Sequence, residues 1–143
     1  MDIQAVQGDI TAQEVDAVVN AANQALGGCA TGDAKATPGF QLPARWIIHA
    51  VGPRWRGGDK GEADLLASCY RRSLEVADEL GVTSVAYPAI STGIYGYPSE
   101  DAAQIAVATL RSTPTEVELV RLVAFDEATH RLYKQLLEKP LRS

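Results

Sequence analysis

The stretch Ser84-Val85-Ala86-Tyr87-Pro88-Ala89-Ile90-Ser91-Thr92-Gly93-Ile94-Tyr95-Gly96-Tyr97-Pro98-Ser99 decides how this chain folds. Ser84 to Tyr87 is short and apolar without alternation, the pattern of a strand covered on both faces. It runs into a loop of small and turn-forming residues, Pro88 to Pro98. Ser99 is then placed to cap a helix, and Glu100 and Asp101 in its first turn suit the positive end of the helix dipole. A buried strand, a glycine-bearing loop and a helix in that order make one α/β unit.

Working outward, the same alternation recurs. Ile3 to Val6 is a short opening strand, and Val15 to Asn20, Arg45 to Val51 and Val117 to Phe125 are further buried runs. Gly52-Pro53 closes the third of these. Thr11 and Glu14 have capping-box spacing, which predicts a brief helical turn capped by Thr11. Ala63 to Leu80 is the clearest helix: Leu66, Cys69, Ser73, Val76 and Leu80 form one stripe, and Gly81 supplies the stop. Asp126 is placed to cap a last helix that ends near Lys139. These elements predict one α/β domain over residues 1–143, a three-layer α/β/α sandwich with a mixed, mostly parallel central sheet. Ligands in such sheets sit beyond the carboxyl ends of the strands. That singles out Asn20 to Gly28, Ala89 to Gly96, and Phe125-Asp126.

The composition narrows the function. Thirteen basic and eighteen acidic side chains give a net charge of −5, which counts against nucleic acid and anionic membrane as partners. Two cysteines, Cys29 and Cys69, are too few for a disulfide framework or a zinc site and suit small apolar fillers. The N-terminus lacks the basic and apolar regions of a secretory signal, so a cytoplasmic location is expected, with a monomer as the default. His49, inside an apolar strand, fits a satisfied core histidine. His130, between charged neighbours, fits a solvated face. Trp46 and Trp55 are packing or rim residues.

Three segments carry chemistry. In Ala89 to Pro98, Gly93 and Gly96 can take positive φ and turn several N–H groups toward one point, with Ser91 and Thr92 adding hydroxyls. An acidic protein that holds a diphosphate needs such a neutral cradle. The loop lacks the lysine and spacing of a Walker A motif. In Asn20-Ala21-Ala22-Asn23, two amides flank small alanines and leave room for a ligand, though both could equally tie down turns. In Gly8-Asp9-Ile10-Thr11, Asp9 could accept a hydrogen bond from an exocyclic amine, or simply cap a turn.

Taken together and in order, these stretches resemble the macrodomain family, closest to its MacroD-type branch. Gly8 to Thr11, Val15 to Asn23, Gly27 to Lys35, Trp46 to Pro53 with Trp55, and Tyr87 to Pro98 carry the resemblance. It implies that Asp9 holds the adenine amine beside the Ile10 backbone, with Phe125 flanking the ring. It also implies that Ser91, Thr92, Gly93, Ile94 and Tyr95 wrap the diphosphate of ADP-ribose, with Tyr95 near the distal ribose. Asn23 would contact that ribose and Asn20 would support it. The implied activity is metal-free and cofactor-free hydrolysis of ADP-ribose esters, either O-acetyl-ADP-ribose or ADP-ribosylated acidic side chains of proteins.

One departure stands out. The family's asparagine pair leads into an aspartate-bearing loop and a helix, whereas here Leu26 is followed at once by Gly27-Gly28-Cys29. A genuine deletion predicts a non-catalytic ADP-ribose reader. Uncovering a sheet face costs about 1.5–3 kcal/mol per leucine-sized side chain, which favours a protein that keeps such a cover, and so an enzyme. Asp33 is the nearest acid in the sequence after that junction, with a turn after Gly32 as its plainer role.

Overall fold

The computed structural model describes residues 1–22 and 29–139. Asn23 and the Leu26–Gly27 junction therefore lie outside the described residues. The strands are β1 (Asp2–Gln7), β2 (Ala17–Ala22), β3 (Ala34–Pro38), β4 (Trp46–Val51), β5 (Ser84–Tyr87) and β6 (Leu119–Ala124). The helices are α1 (Glu62–Leu80), α2 (Ser99–Ser112) and α3 (Glu127–Glu138), with a 3-10 turn at Ile10–Ala12. The sheet runs in the order β1-β6-β5-β2-β4-β3. All neighbours pair in parallel except β3, which is antiparallel to β4 on one edge. The carboxyl ends of five strands, Gln7, Ala22, Val51, Tyr87 and Ala124, thus share one side of the sheet.

The helices lie side by side on one face. Helix α3 packs on β1 and β6, α1 on β3 and β4, and α2 sits between them. Alternate strand residues face this layer: Ala17 and Val19, Ile48 and Ala50, Val85 and Tyr87, Leu122 and Ala124 join Leu66, Leu74 and Leu110 in the main core. The intervening residues Val18, Ala86 and Val123 face the other way. They pack with Ile10 of the 3-10 turn, Val15 before β2, Leu42 and Ala44 of the loop before β4, and Ile47 of β4. Apolar residues on both faces explain why the strands lack a period of two, and the α/β sandwich read from the sequence is the fold observed. Leu74 makes the point energetically: it is fully buried, and trimming such a leucine to alanine costs about 2–5 kcal/mol.

Local chemistry refined several boundaries. Asp9, rather than Thr11, caps the 3-10 turn, its carboxylate accepting the Thr11 N–H at 2.9 Å and hydroxyl at 2.7 Å. Ser99 is the first residue of α2 and makes no capping bond; Pro98 occupies the N-cap position. Asp126 caps α3 as expected, accepting the Thr129 N–H at 2.7 Å. Gly81 ends α1 in the left-handed conformation with φ 72°. Strand β3 had no sequence signal, because Lys35, Thr37 and Pro38 alternate only weakly and sit on an edge.

Candidate functional site

Beyond the carboxyl ends of β2, β4 and β5 opens a cavity of about 1030 Å³, at the upper end of what small-ligand sites span. Its walls come from Ala21 and Ala22 at the end of β2, from Gly52, Pro53, Arg54, Arg56, Lys60 and Glu62 after β4, and from Ala89, Ile90, Ser91, Gly93, Ile94 and Tyr95 after β5. Strand ends supply the floor and three loops supply the walls.

The loop after β5 is the most constrained of them. Ser91 is only 6% exposed and holds a left-handed backbone with φ 69°, a conformation that is strained for a residue with a Cβ. Its buried Oγ has no hydrogen-bond partner among the described residues. A buried hydroxyl left unpaired is costly, so both features mark a place built for something else. The loop closes on itself through Thr92 N–H to Ala89 O, Gly96 N–H to Gly93 O at 3.0 Å, and Tyr97 N–H to Ser91 O at 2.9 Å. Those closures do not use the N–H groups of Gly93, Ile94 and Tyr95. At the loop's root the Tyr70 hydroxyl meets the Ile90 backbone and the Tyr133 hydroxyl, and burial pushes its phenol well above the ordinary range.

Two glycines matter here for different reasons. A Cβ on Gly52 would run into the Ser91 Oγ and come within 2.6 Å of Ile90 Cγ2, so the end of β4 can approach the loop only as glycine. A Cβ on Gly93 would meet nothing within 4 Å, so no protein atom requires glycine there. The left-handed positions are Ser91 and Gly96, not the expected pair Gly93 and Gly96.

The loop after β4 is held by Glu62. Its carboxylate, 1% exposed at the start of α1, accepts the N–H groups of Arg56 at 2.8 Å, Gly58 at 2.9 Å and Lys60 at 2.6 Å. Burial alone would raise its pKa, but these backbone donors outweigh it and hold the group down at about 2. The loop is further tied by Trp55, whose N–H donates to Tyr95 O at 2.9 Å and whose ring lies 4.7 Å from Tyr97. Arg54 places its guanidinium 5.3 Å from the centre of the Tyr95 ring.

Of the residues singled out in the sequence, Ser91, Gly93, Ile94 and Tyr95 line the cavity, and Thr92, Asp9, Ile10, Asn20 and Phe125 do not. Asp9 and Phe125 are nevertheless neighbours in the sheet. They follow the paired strands β1 and β6, and Gly8 N–H donates to Ala124 O at 3.0 Å. Phe125 is 93% exposed. Hydrogen bonds from the Thr11 hydroxyl and N–H hold the Asp9 carboxyl below its usual range. Asn20 is exposed, and its amide contacts His49 Nδ1 at 3.2 Å, while His49 Nε2 meets the Thr37 hydroxyl at 2.8 Å. His49 is thus satisfied on both nitrogens, as expected, but it is half-buried rather than part of the core, and burial followed by the Lys35 charge lowers its pKa.

Other assignments change. His130 is not merely solvated: it is half-buried, and its Nε2 lies 3.3 Å from Ala5 O, fastening α3 to β1. Asp33 is tied to the Ala34 N–H at 2.8 Å and to Arg72 Nε at 3.0 Å, which together lower its pKa and remove it as a proton donor. Cys69 is fully buried, with its thiol directed at Val51 O. Sequence reasoning missed Gly52, Arg54, Arg56, Lys60 and Glu62. The available signal was the cluster of glycines at 57, 58 and 61 just before an acidic first helical residue.

The profile of the Macro domain family matches residues 3–106. A macro domain-containing protein of Cupriavidus necator is 43% identical over 167 aligned positions, covering 94% of this chain and 96% of that protein. That alignment, at 167 positions, is longer than the 143 residues here, so the relative has residues with no counterpart in this chain. Among solved structures, the Oceanobacillus iheyensis macrodomain with ADP superposes with a TM-score of 0.85 at 34% identity, covering 95% of this chain and 90% of the other. A glycine-to-valine mutant of that macrodomain with ADPR gives 0.84 at 35% identity, over 94% and 90% of the two chains. By sequence over most of its length and by fold over nearly all of it, this chain belongs to the macro domain family.

Proposed function

We propose that this chain binds ADP-ribose at the carboxyl ends of its strands, with the diphosphate against Ser91 to Tyr95 and the adenine between Asp9 and Phe125. The observation that carries the reading is Ser91: a buried, left-handed residue with an unpartnered hydroxyl, on the wall of a cavity of ligand size. Backbone N–H groups and neutral hydroxyls suit a diphosphate on a protein whose net charge is −5. The Oceanobacillus iheyensis macrodomain, solved with ADP and with ADPR, supports the same ligand. Titration calorimetry with ADP-ribose tests it. Binding that weakens on Asp9→Ala is expected, and absence of binding overturns the reading.

Hydrolysis of ADP-ribose esters is the second reading, favoured by Asn20, which His49 holds at the end of the strand leading to Asn23. Here Glu62, the described acid that lines the cavity, is engaged with backbone N–H groups, and Asp33, the first acid after the junction in sequence, is paired with Arg72. The Cupriavidus alignment is longer than this chain, and the sequence's departure from the family pattern at Leu26–Gly27 is where a missing aspartate loop would lie. The chain is therefore expected to be a reader first, turning over an ADP-ribosylated glutamate or O-acetyl-ADP-ribose slowly if at all. Rapid turnover of either substrate reverses that ranking.

A further inference from the structure

Three cations, Arg54, Arg56 and Lys60, line the cavity from one loop, and all are exposed. Among the described residues none of them forms an ion pair. Glu62, the acid beside them, forms no ion pair with any of the three, because it turns its oxygens to backbone N–H groups of the same loop. Asp59 and Asp64 are close in sequence but do not line the cavity. Arg54 is partly occupied by the Tyr95 ring. Arg56 and Lys60 are left exposed and without an ion-pair partner among the described residues, on one wall of a cavity in a protein of net charge −5.

A ligand seated against Ser91 and Tyr95 must leave whatever carries it passing the cavity walls. We propose that the wall from Arg54 to Lys60 docks acidic side chains flanking an ADP-ribosylated residue, so that the natural ligand is an ADP-ribosylated acidic peptide segment rather than a small ester. This rests on the ADP-ribose reading and names its carrier. A few carboxylates can pair with one short cationic wall. A nucleic acid presents a regular row of phosphates and needs an extended basic track, which the acidic balance of the chain opposes. Charge complementarity of this kind adds specificity and on-rate, and it weakens with salt.

The test uses the full chain and two amide-linked, non-hydrolysable ADP-ribosyl peptides, one with acidic flanks and one with neutral flanks. Wild type is expected to prefer the acidic peptide, with the preference fading as salt rises. Arg56→Glu with Lys60→Glu is expected to weaken the acidic peptide about tenfold, taking exposed ion pairs at their usual strength. Free ADP-ribose and the neutral peptide, whose diphosphate shares the cavity with this wall, should lose equally with each other and by clearly less than the acidic peptide. The milder pair Arg56→Gln and Lys60→Gln keeps every backbone N–H that Glu62 uses and should give an intermediate loss at unchanged melting temperature. Equal losses for acidic and neutral peptides, an equal loss for free ADP-ribose, or no loss at all would overturn the proposal. So would a larger loss for an ADP-ribosylated oligonucleotide, which would assign the wall to nucleic acid. Failure of wild type to bind free ADP-ribose is a separate result and removes the parent reading instead.

Discussion

The two ends of the ligand face are built on opposite plans. At the ends of β2, β4 and β5 the cavity is shaped by the fold itself: Gly52 admits the loop, Ser91 is held in a strained conformation, and Glu62 fixes the opposite wall. At the ends of β1 and β6 there is only a shelf. Phe125 stands 93% exposed and the Asp9 carboxylate is occupied by Thr11. The walled end is organised before any ligand arrives, and the shelf gains its partners only on binding. Preorganisation lowers the ordering cost of binding, so the walled end should dominate affinity and the shelf should select the base.

The strongest way to break that contrast is Gly52→Ala. The added methyl collides with Ser91 and Ile90, and overpacking of this kind costs about 1–3 kcal/mol. A lower melting temperature together with at least about tenfold weaker ADP-ribose binding is expected; full affinity would mean that the cavity is not the site. Gly93→Val separates the two effects. Its Cβ meets no protein atom within 4 Å, so stability should hold while calorimetry records about tenfold weaker binding, the bulk now occupying ligand space. If affinity is intact, the loop is not the diphosphate cradle.

Phe125→Ala probes the shelf. The ring is almost wholly exposed, so thermal stability should not change. Loss of a stacking partner should weaken ADP-ribose by about 0.5–1.5 kcal/mol and leave ribose 5-phosphate untouched. An equal loss for both ligands would contradict the shelf's role as the base-selecting end.

The last test is one of pH, flat near neutrality and expressed only in acid. Glu62 has its folded pKa lowered from 4.5 to about 2, so its stabilisation is fully present above about pH 4.5 and is lost as pH falls toward 2. The melting-temperature advantage of wild type over Glu62→Gln should therefore be constant at pH 6 to 7 and shrink below pH 4.5. An advantage that persists unchanged at pH 2.5 would show that the carboxylate charge is not what holds the loop.

Much of this was legible in the sequence, because each buried strand is a short apolar run ending in a turn. Ser84 to Tyr87 was read to the residue, and α1 to within one residue at its start. Helix boundaries were legible wherever glycine or aspartate had one local task, as with Gly81 at the end of α1 and Asp126 at the start of α3. What stayed hidden depends on contacts between distant residues. Strand β3 exists because β4 offers it an edge, not because of its own pattern. Glu62 is an ordinary acid at a helix start until the chain before it curls back over the carboxylate. The strain at Ser91 is equally invisible in sequence, since serine rarely takes a left-handed backbone and only the fold imposes it.

The grip of Glu62 has one more consequence. Because it holds main-chain amides, any residue but proline at 56 or 60 offers it the same handle, while Gly58, at φ 93° with the Trp55 ring in the path of a Cβ, is fixed as glycine. The shape of that rim is thereby uncoupled from its charge. Side chains at 56 and 60 can be redesigned from basic to neutral to acidic on an unchanged frame, so the charge of the rim can be varied without remaking its shape.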